Sequence, residues 1–150
     1  MIEPAKLQKY SLFGGLLCDQ IEQILPHMTV ETWEAGEDII AEGAPNDKIS
    51  FILEGRIAVV KNNVTLAELG EGDTVGEMEV LDVMPSVATI RALTPIRAIS
   101  MSNKALREIY KADIHSFSLI IMNLARDLSR RLRLMDDKAA ATTHNAALVQ

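Results

Sequence analysis

Cysteine is nearly missing: Cys18 is the only one in 150 residues, so the chain forms no internal disulfide and no metal site built on several thiolates. A reducing cytoplasm is the expected setting. Histidine is almost as scarce. His27, His115 and His144 stand far apart, whereas a metal-bearing roll of the cupin kind needs several together, so each is expected at the surface or satisfied in the core. No stretch approaches the roughly 20 apolar residues of a membrane helix, and the start of the chain, with Glu3, Pro4 and Lys6, lacks a signal peptide's apolar run. A soluble chain without membrane insertion is expected. No phosphate loop of the nucleotide-hydrolase kind and no nucleophile motif appears, so no residue is assigned a catalytic role and no enzyme is expected.

Glycine and proline are also absent from a whole region. After Pro95 there is neither to the end of the chain, while six of the eight glycines lie between Gly36 and Gly76. Frequent turns therefore give way to uninterrupted helix. The turn-rich middle predicts strands over Met28–Glu34, Asp38–Glu42, Lys48–Leu53, Arg56–Lys61 and Thr65–Leu69, each apolar or alternating and rich in Val, Ile, Thr or aromatics. Two more follow, Ala88–Leu93 and Ile96–Met101. Short strands at this spacing predict a closed antiparallel roll, a mainly β architecture with few free edges and flanking helices.

The flanking helices are predicted over Leu16–Leu25, halted by Pro26, over Lys104–Lys111 with Asn103 as cap, and from Asp113 or Ser116 to about Lys138. On the last, Ile121, Ala125, Leu128, Leu132, Met135 and Ala139 alternate steps of four and three, the spacing of a coiled-coil seam. Phe117, Ile120 and Leu124 form a second stripe. The simplest arrangement packs one stripe on the roll and the other on the same helix of a second chain, making a homodimer; burial of both within one monomer is the alternative. Domain limits follow: residues 1–112 for the helical piece and roll, 113–138 for a dimerisation helix, and 139–150, alanine-rich and weakly patterned, for a flexible tail.

Several spaced segments resemble one family. Ala35-Gly36-Glu37-Asp38-Ile39-Ile40-Ala41-Glu42-Gly43, Phe51-Ile52-Leu53-Glu54-Gly55-Arg56-Ile57-Ala58-Val59 and Leu69-Gly70-Glu71-Gly72-Asp73 are similar to the opening strands, central hairpin and cassette lead-in of cyclic-nucleotide-binding domains. The segment from Gly72 to Ile90 resembles their phosphate-binding cassette. The likeness covers roughly residues 11 to 138 and implies an eight-stranded antiparallel β-roll (jelly roll) with an N-terminal helical piece and two C-terminal helices, a sensor module whose ligand is cAMP or cGMP. It implies ligand contacts at Gly76, Glu77, Met78, Glu79, Ser86, Val87 and Ala88. Glu77 takes the position that accepts from the ribose 2′-hydroxyl, and Gly76 and Ala88 keep the backbone frame.

The likeness breaks at the charges. The family places an Arg after the cassette proline to pair with the cyclic phosphate, and this chain has Ser86. Val87 stands where a small or hydroxyl residue is common, and Glu79 where Ala, Ser or Gly is usual. Losing a charge-assisted hydrogen bond forfeits about one to two decades of affinity. Residues 31–90 carry thirteen Asp and Glu against three Lys and Arg, a field that repels anions. Arg91 alternates away from Ala88 and Ile90 along its strand. In members resembling the catabolite activator protein, hydroxyl residues cover the base just after an Arg-Arg-Leu stretch; here Arg130-Arg131-Leu132 leads to Met135 and Asp136. Leu132 and Met135 offer apolar cover, although Met135 also fits the seam.

Two classes of function remain. One is a small-molecule sensor that signals through its C-terminal helix and binds cyclic nucleotides weakly or in altered form. The other is a ligand-free scaffold for dimerisation or protein interaction. Residues 91–138 are net positive, yet Arg126, Arg130 and Arg133 lie near Asp127, Asp136 and Asp137, as on a salt-bridged helix face. The family's DNA readers carry a helix-turn-helix after the long helix, and these 150 residues end before one could fit, as in a stand-alone sensor or a piece of a longer protein; the net charge of −6 argues against nucleic-acid binding by this chain alone.

Overall fold

The computed structural model describes residues 2–149, apart from the side chain of Val149. Eight short strands form two antiparallel four-stranded sheets. One has the order β1 (Thr29–Trp33), β8 (Ile96–Ser102), β3 (Lys48–Glu54), β6 (Thr74–Val75); the other β2 (Asp38–Ile40), β7 (Thr89–Ala92), β4 (Arg56–Lys61), β5 (Val64–Gly70). This is the predicted roll. Its strands fall within one or two residues of the predicted ones, β2 ending two residues early at Ile40, while the two-residue β6 carries too little pattern to be read. Gly55 joins β3 to β4 with φ +105°, and a Cβ there would lie 2.4 Å from the Pro95 carbonyl oxygen, so only glycine fits this hairpin against its neighbour.

Apolar alternation sets what lies inside the roll. Ile52, Ile57, Ile96 and Ala98 are fully or almost fully buried, and Ile40, Val75 and Ile90 complete that cluster. A second cluster sits where the helices meet the other sheet. It gathers Leu12, Phe13, Ile21, Ile24, Phe51, Ile99, Met101 and Ile109 with Ile120 and Leu124. Phe51 takes edge-on contacts from Tyr10 and Phe13, with centroids 5.0 and 5.3 Å apart.

The N-terminal helical piece comprises α1 (Pro4–Leu7), a 3-10 turn at Ser11–Phe13, and α2 (Cys18–Ile24), which runs into a second 3-10 turn over Leu25–His27. Pro26 sits in the first turn of that last piece, where its missing N–H costs nothing. The cassette holds α3 (Glu77–Asp82), and the chain closes with α4 (Asn103–Ala112) and α5 (Ile114–Val149).

Two helix boundaries differ from the sequence reading. Ser102, not Asn103, caps α4: its backbone is extended and its hydroxyl accepts from the Ala105 N–H at 3.1 Å. The final helix passes Lys138 and continues to Val149, since its alanine-rich end holds no breaker and alanine is the best helix former. Asp113 starts it, accepting from the His115 N–H at 3.1 Å and the Ser116 hydroxyl at 2.6 Å. Of the two stripes on α5, Ile120 and Leu124 are buried against the roll with Phe117 beside them. Ala125, Leu132, Met135 and Ala139 of the seam are exposed.

Candidate ligand-binding site

The cassette begins at a position that tolerates no side chain. Gly76 has φ +85°, and a Cβ on it would lie 2.3 Å from the Lys48 carbonyl oxygen and 2.6 Å from Asn46 Nδ2. That amide donates to Gly76 O at 3.2 Å and Lys48 O at 2.8 Å, stitching the head of the cassette to β3. Close backbone packing thus fixes where α3 starts and where Glu77 points.

Glu77 is turned inward, with its side chain only 5% exposed. Its Oε1 accepts from Arg131 Nη1 at 2.8 Å, while Arg131 Nη2 donates to Thr74 O at 2.9 Å. One guanidinium from α5 therefore ties together the strand before the cassette and its first helical residue. Burial pushes the Glu77 carboxyl above its ordinary value of 4.5; Arg131 opposes that push, and the negative charges of Glu79 and Asp127 add to it. A charge this deep requires its partner.

Along α3, Met78 is exposed and Glu79 half-buried, and the helix stops at Val83 with φ +58°, ψ +30°. A branched side chain in the left-handed region costs about 1–2 kcal/mol. Val83 nevertheless satisfies the helix end, its N–H donating to Glu79 O at 3.0 Å.

Ser86 is buried, and its hydroxyl donates to Ala88 O at 2.6 Å. Its own N–H donates to Ala44 O at 3.0 Å, and its carbonyl accepts from the Gly43 N–H at 2.8 Å. The residue in the phosphate-pairing position thus fastens the returning cassette to the loop after β2. Val87 is exposed and Ala88 buried. Arg91 is paired with Asp38 at 2.8 Å on the outer face of the sheet.

The cassette residues Gly76, Glu77, Met78, Glu79, Ser86, Val87 and Ala88 lie together around α3 and its return. Leu132, Met135 and Asp136 lie in the exposed part of α5, with no contact to the cassette described. Arg131 was missed by the sequence reading as a site residue. Its signal was present: it stands seven positions after Leu124, two helical turns along the same stripe, and a charged residue on a buried stripe asks for a buried partner.

With this geometry in place, comparison with known proteins decides the family. The family model described as "Cyclic nucleotide-binding domain" matches residues 30–113, from β1 to the end of α4. The chain belongs to the cyclic nucleotide-binding domain family. Among curated relatives of this domain is a CRP-like cAMP-activated global transcriptional regulator of Mycobacterium tuberculosis, 27% identical over 139 residues, spanning 89% of this chain and 60% of that protein. A solved cyclic nucleotide-binding domain from Methylobacillus flagellatus superimposes with a TM-score of 0.82 at 26% identity, covering 91% of this chain and 79% of the other.

A third likeness bears on the cassette itself. It is the regulatory subunit of a cAMP-independent protein kinase A from Trypanosoma brucei, in a mutant bound to cAMP in its A site (TM-score 0.68, 26% identity, 81% of this chain and 44% of that one). That mutant replaces a Glu by Ala, a Thr seven positions later by Arg, and the adjacent Val by Ala. Glu79, Ser86 and Val87 follow one another here at the same spacing. The chain spans 21–60% of the length of several curated relatives it matches.

Proposed function

We propose that this chain is a regulatory sensor domain, not a catalyst, whose cassette binds cyclic nucleotides weakly and whose output element is α5. The observation that carries the reading is Ser86: where a cation would meet the cyclic phosphate, a buried hydroxyl is spent on Ala88 O. Arg131, the cation nearest the cassette's buried acid, is committed to Glu77 and Thr74, and Arg91 to Asp38. The Trypanosoma brucei protein supports this, since its cAMP-bound form carries Arg and Ala in a pattern matching Ser86 and Val87 and Ala in one matching Glu79.

The link to α5 rests on the ion pair between Glu77 and Arg131. A ligand that alters the environment of Glu77 alters the partner of Arg131, and so favours one placement of the helix over another. We place residues 1–112 in the sensing part and 113–138 in a helix that pairs with a second copy through Ile121, Leu128, Leu132 and Met135, within the cytoplasm. Calorimetric titration with cAMP and cGMP tests the cassette. The native chain is expected to show no binding below millimolar concentration, and Ser86→Arg to gain about ten- to a hundredfold. Micromolar binding of either nucleotide by the native chain would sink the reading.

A further inference from the structure

At the end of β3 farthest from Gly76, the surface of the roll opens into a cleft of about 630 Å³, a volume within the span of small-ligand sites. Asn46 fastens the head of the cassette to Lys48, where β3 begins, whereas the cleft is lined by Glu54, where β3 ends. The length of the strand, roughly 20 Å, keeps the two places apart.

The walls come from three strands and one turn. Trp33 closes β1 and stands opposite Ile96 of β8, half-buried against the apolar cluster inside the roll. Glu34 and Glu37 follow in the turn toward β2, both exposed, and the Glu37 N–H donates to Glu34 O at 3.1 Å, which holds them on one rim. Arg97 of β8 and Glu54 of β3 complete the lining as register partners, their charges 3.6 Å apart.

The acids on the strands are all neutralised. Each has a cation beside it: Glu31 has Lys48, Asp38 has Arg91, Glu54 has Arg97 and Glu68 has Arg56. Glu34 and Glu37 have no ion-pair partner among the described residues, and they share the cleft with the only tryptophan of the chain. Three carboxylates against one guanidinium leave the lining at a net charge of −2, which repels anions. A metal ion is not the match, since no group of three acidic, histidine or cysteine side chains among the described residues could hold one. What fits is a cation broad enough to lie on an indole and to reach carboxylates set apart from one another. A guanidinium does so: it is planar, weakly hydrated and forked, is drawn to the face of a tryptophan, and makes charge-assisted bonds to carboxylates.

We propose that this cleft is a ligand site separate from the cassette, taking an organic cation by a guanidinium group that stacks on Trp33 and is held by Glu34 and Glu37. Arg97 occupies Glu54 and leaves the other two glutamates as the receiving pair. The guanidinium comes from a free alkylguanidine or from an arginine side chain of a partner peptide, and the experiment separates the two sources.

Because Trp33 is the only tryptophan, its fluorescence reports this cleft alone. The full chain is titrated with agmatine and with acetyl-Gly-Arg-Gly-amide, beside their uncharged counterparts butylurea and acetyl-Gly-citrulline-Gly-amide. A saturable change of emission at millimolar concentration or below is expected with at least one guanidinium ligand, and binding about tenfold weaker, or none, with its uncharged counterpart. Tighter binding of agmatine assigns the site to a small molecule, and tighter binding of the tripeptide to a partner's arginine. Glu34→Gln and Glu37→Gln, with an unchanged melting temperature as the fold control, should each weaken binding about threefold or more and together abolish it. Ser86→Arg in the cassette should leave it unchanged. No saturable response to either guanidinium, an equal response to the uncharged counterparts, undiminished binding in the double glutamine variant, or loss of binding in Ser86→Arg would each overturn the proposal.

Discussion

Between Ile114 and Arg131, α5 lies on the body of the protein and buries Ser116, Ile120, Asn123 and Leu124; from Leu132 to Leu148 every side chain is exposed. The two halves have the same backbone conformation from different causes. The first half is helical because its apolar stripe completes the core, and Asn123 binds it to the N-terminal turn by donating to Leu12 O at 2.9 Å and Gly14 O at 3.0 Å. The second makes no such contacts. It relies on alanine-rich propensity and on a preceding turn that already meets the nucleation cost. Arg131 marks the junction, the last residue of α5 that reaches the body. What the difference teaches is that the cassette reaches α5 in its inner half alone among the described residues, through the Arg131 ion pair and through Val80 and Leu81, which line one groove with Phe117 and Ile121.

The strongest way to break this comparison is to truncate one side chain on each side of the junction. Ile120→Ala is expected to cost about 3–4 kcal/mol, and Leu132→Ala less than about 0.5 kcal/mol, in urea unfolding at a concentration low enough to exclude association. Equal losses would mean that the outer half is packed after all. Sedimentation at micromolar concentration sharpens the same pair, because a seam contact through Leu132 shows as weaker association in that variant without loss of fold.

Next in size is the junction itself. Arg131→Ala leaves Glu77 buried without its partner and is expected to destabilise by about 3 kcal/mol. Hydrogen exchange in this variant should quicken around Thr74 and Glu77 as well as in α5. A loss below about 1 kcal/mol, with exchange confined to the helix, would show that the pair does not couple cassette and helix.

The smallest effect is in pH dependence. Folding raises the Glu77 carboxyl above 4.5, chiefly through burial, so within that window the folded state binds more protons than the unfolded one and the contribution of Glu77 to stability falls as pH rises. This contribution is fully unfavourable above the raised value and vanishes below 4.5. Glu77→Gln should flatten the dependence of melting temperature on pH in that range. An unchanged slope would place its origin in other groups.

Much of the fold was legible because binary patterning and turn chemistry agreed. Glycines at strand ends and alternating Ile, Val and Phe between them fix the roll, and the stripe Phe117, Ile120 and Leu124 announces the buried face of α5. The two-residue β6 was illegible since two residues define no period. Asn103 was mistaken for the α4 cap because it and Ser102 are both good caps in sequence, and only the extended backbone at Ser102 distinguishes them. In the site, the missing cation was visible from Ser86 alone. What replaced its bonding was not: the hydroxyl contact with Ala88 O and the straps to Gly43 and Ala44 depend on how two loops meet in space. Arg131 stood on a legible stripe, but its partner was hidden for a related reason, since it lies 54 positions away in the chain.

The fastening of the first residues to the last helix has a consequence for how the protein is made. Asn123 and Asp127 hold Leu12, Gly14 and Ser11 across sequence separations of 109 to 116, more than two thirds of the chain. Loop closure over such distances is slow, and a ribosome releases the N-terminal turn long before α5 exists. Leu12 and Phe13, fully covered in the folded protein, must wait in solvent or against partial structure until α5 is made. The domain is therefore sealed late, by α5, and a copy halted before Leu124 carries an open apolar seam around Leu12 and Phe13.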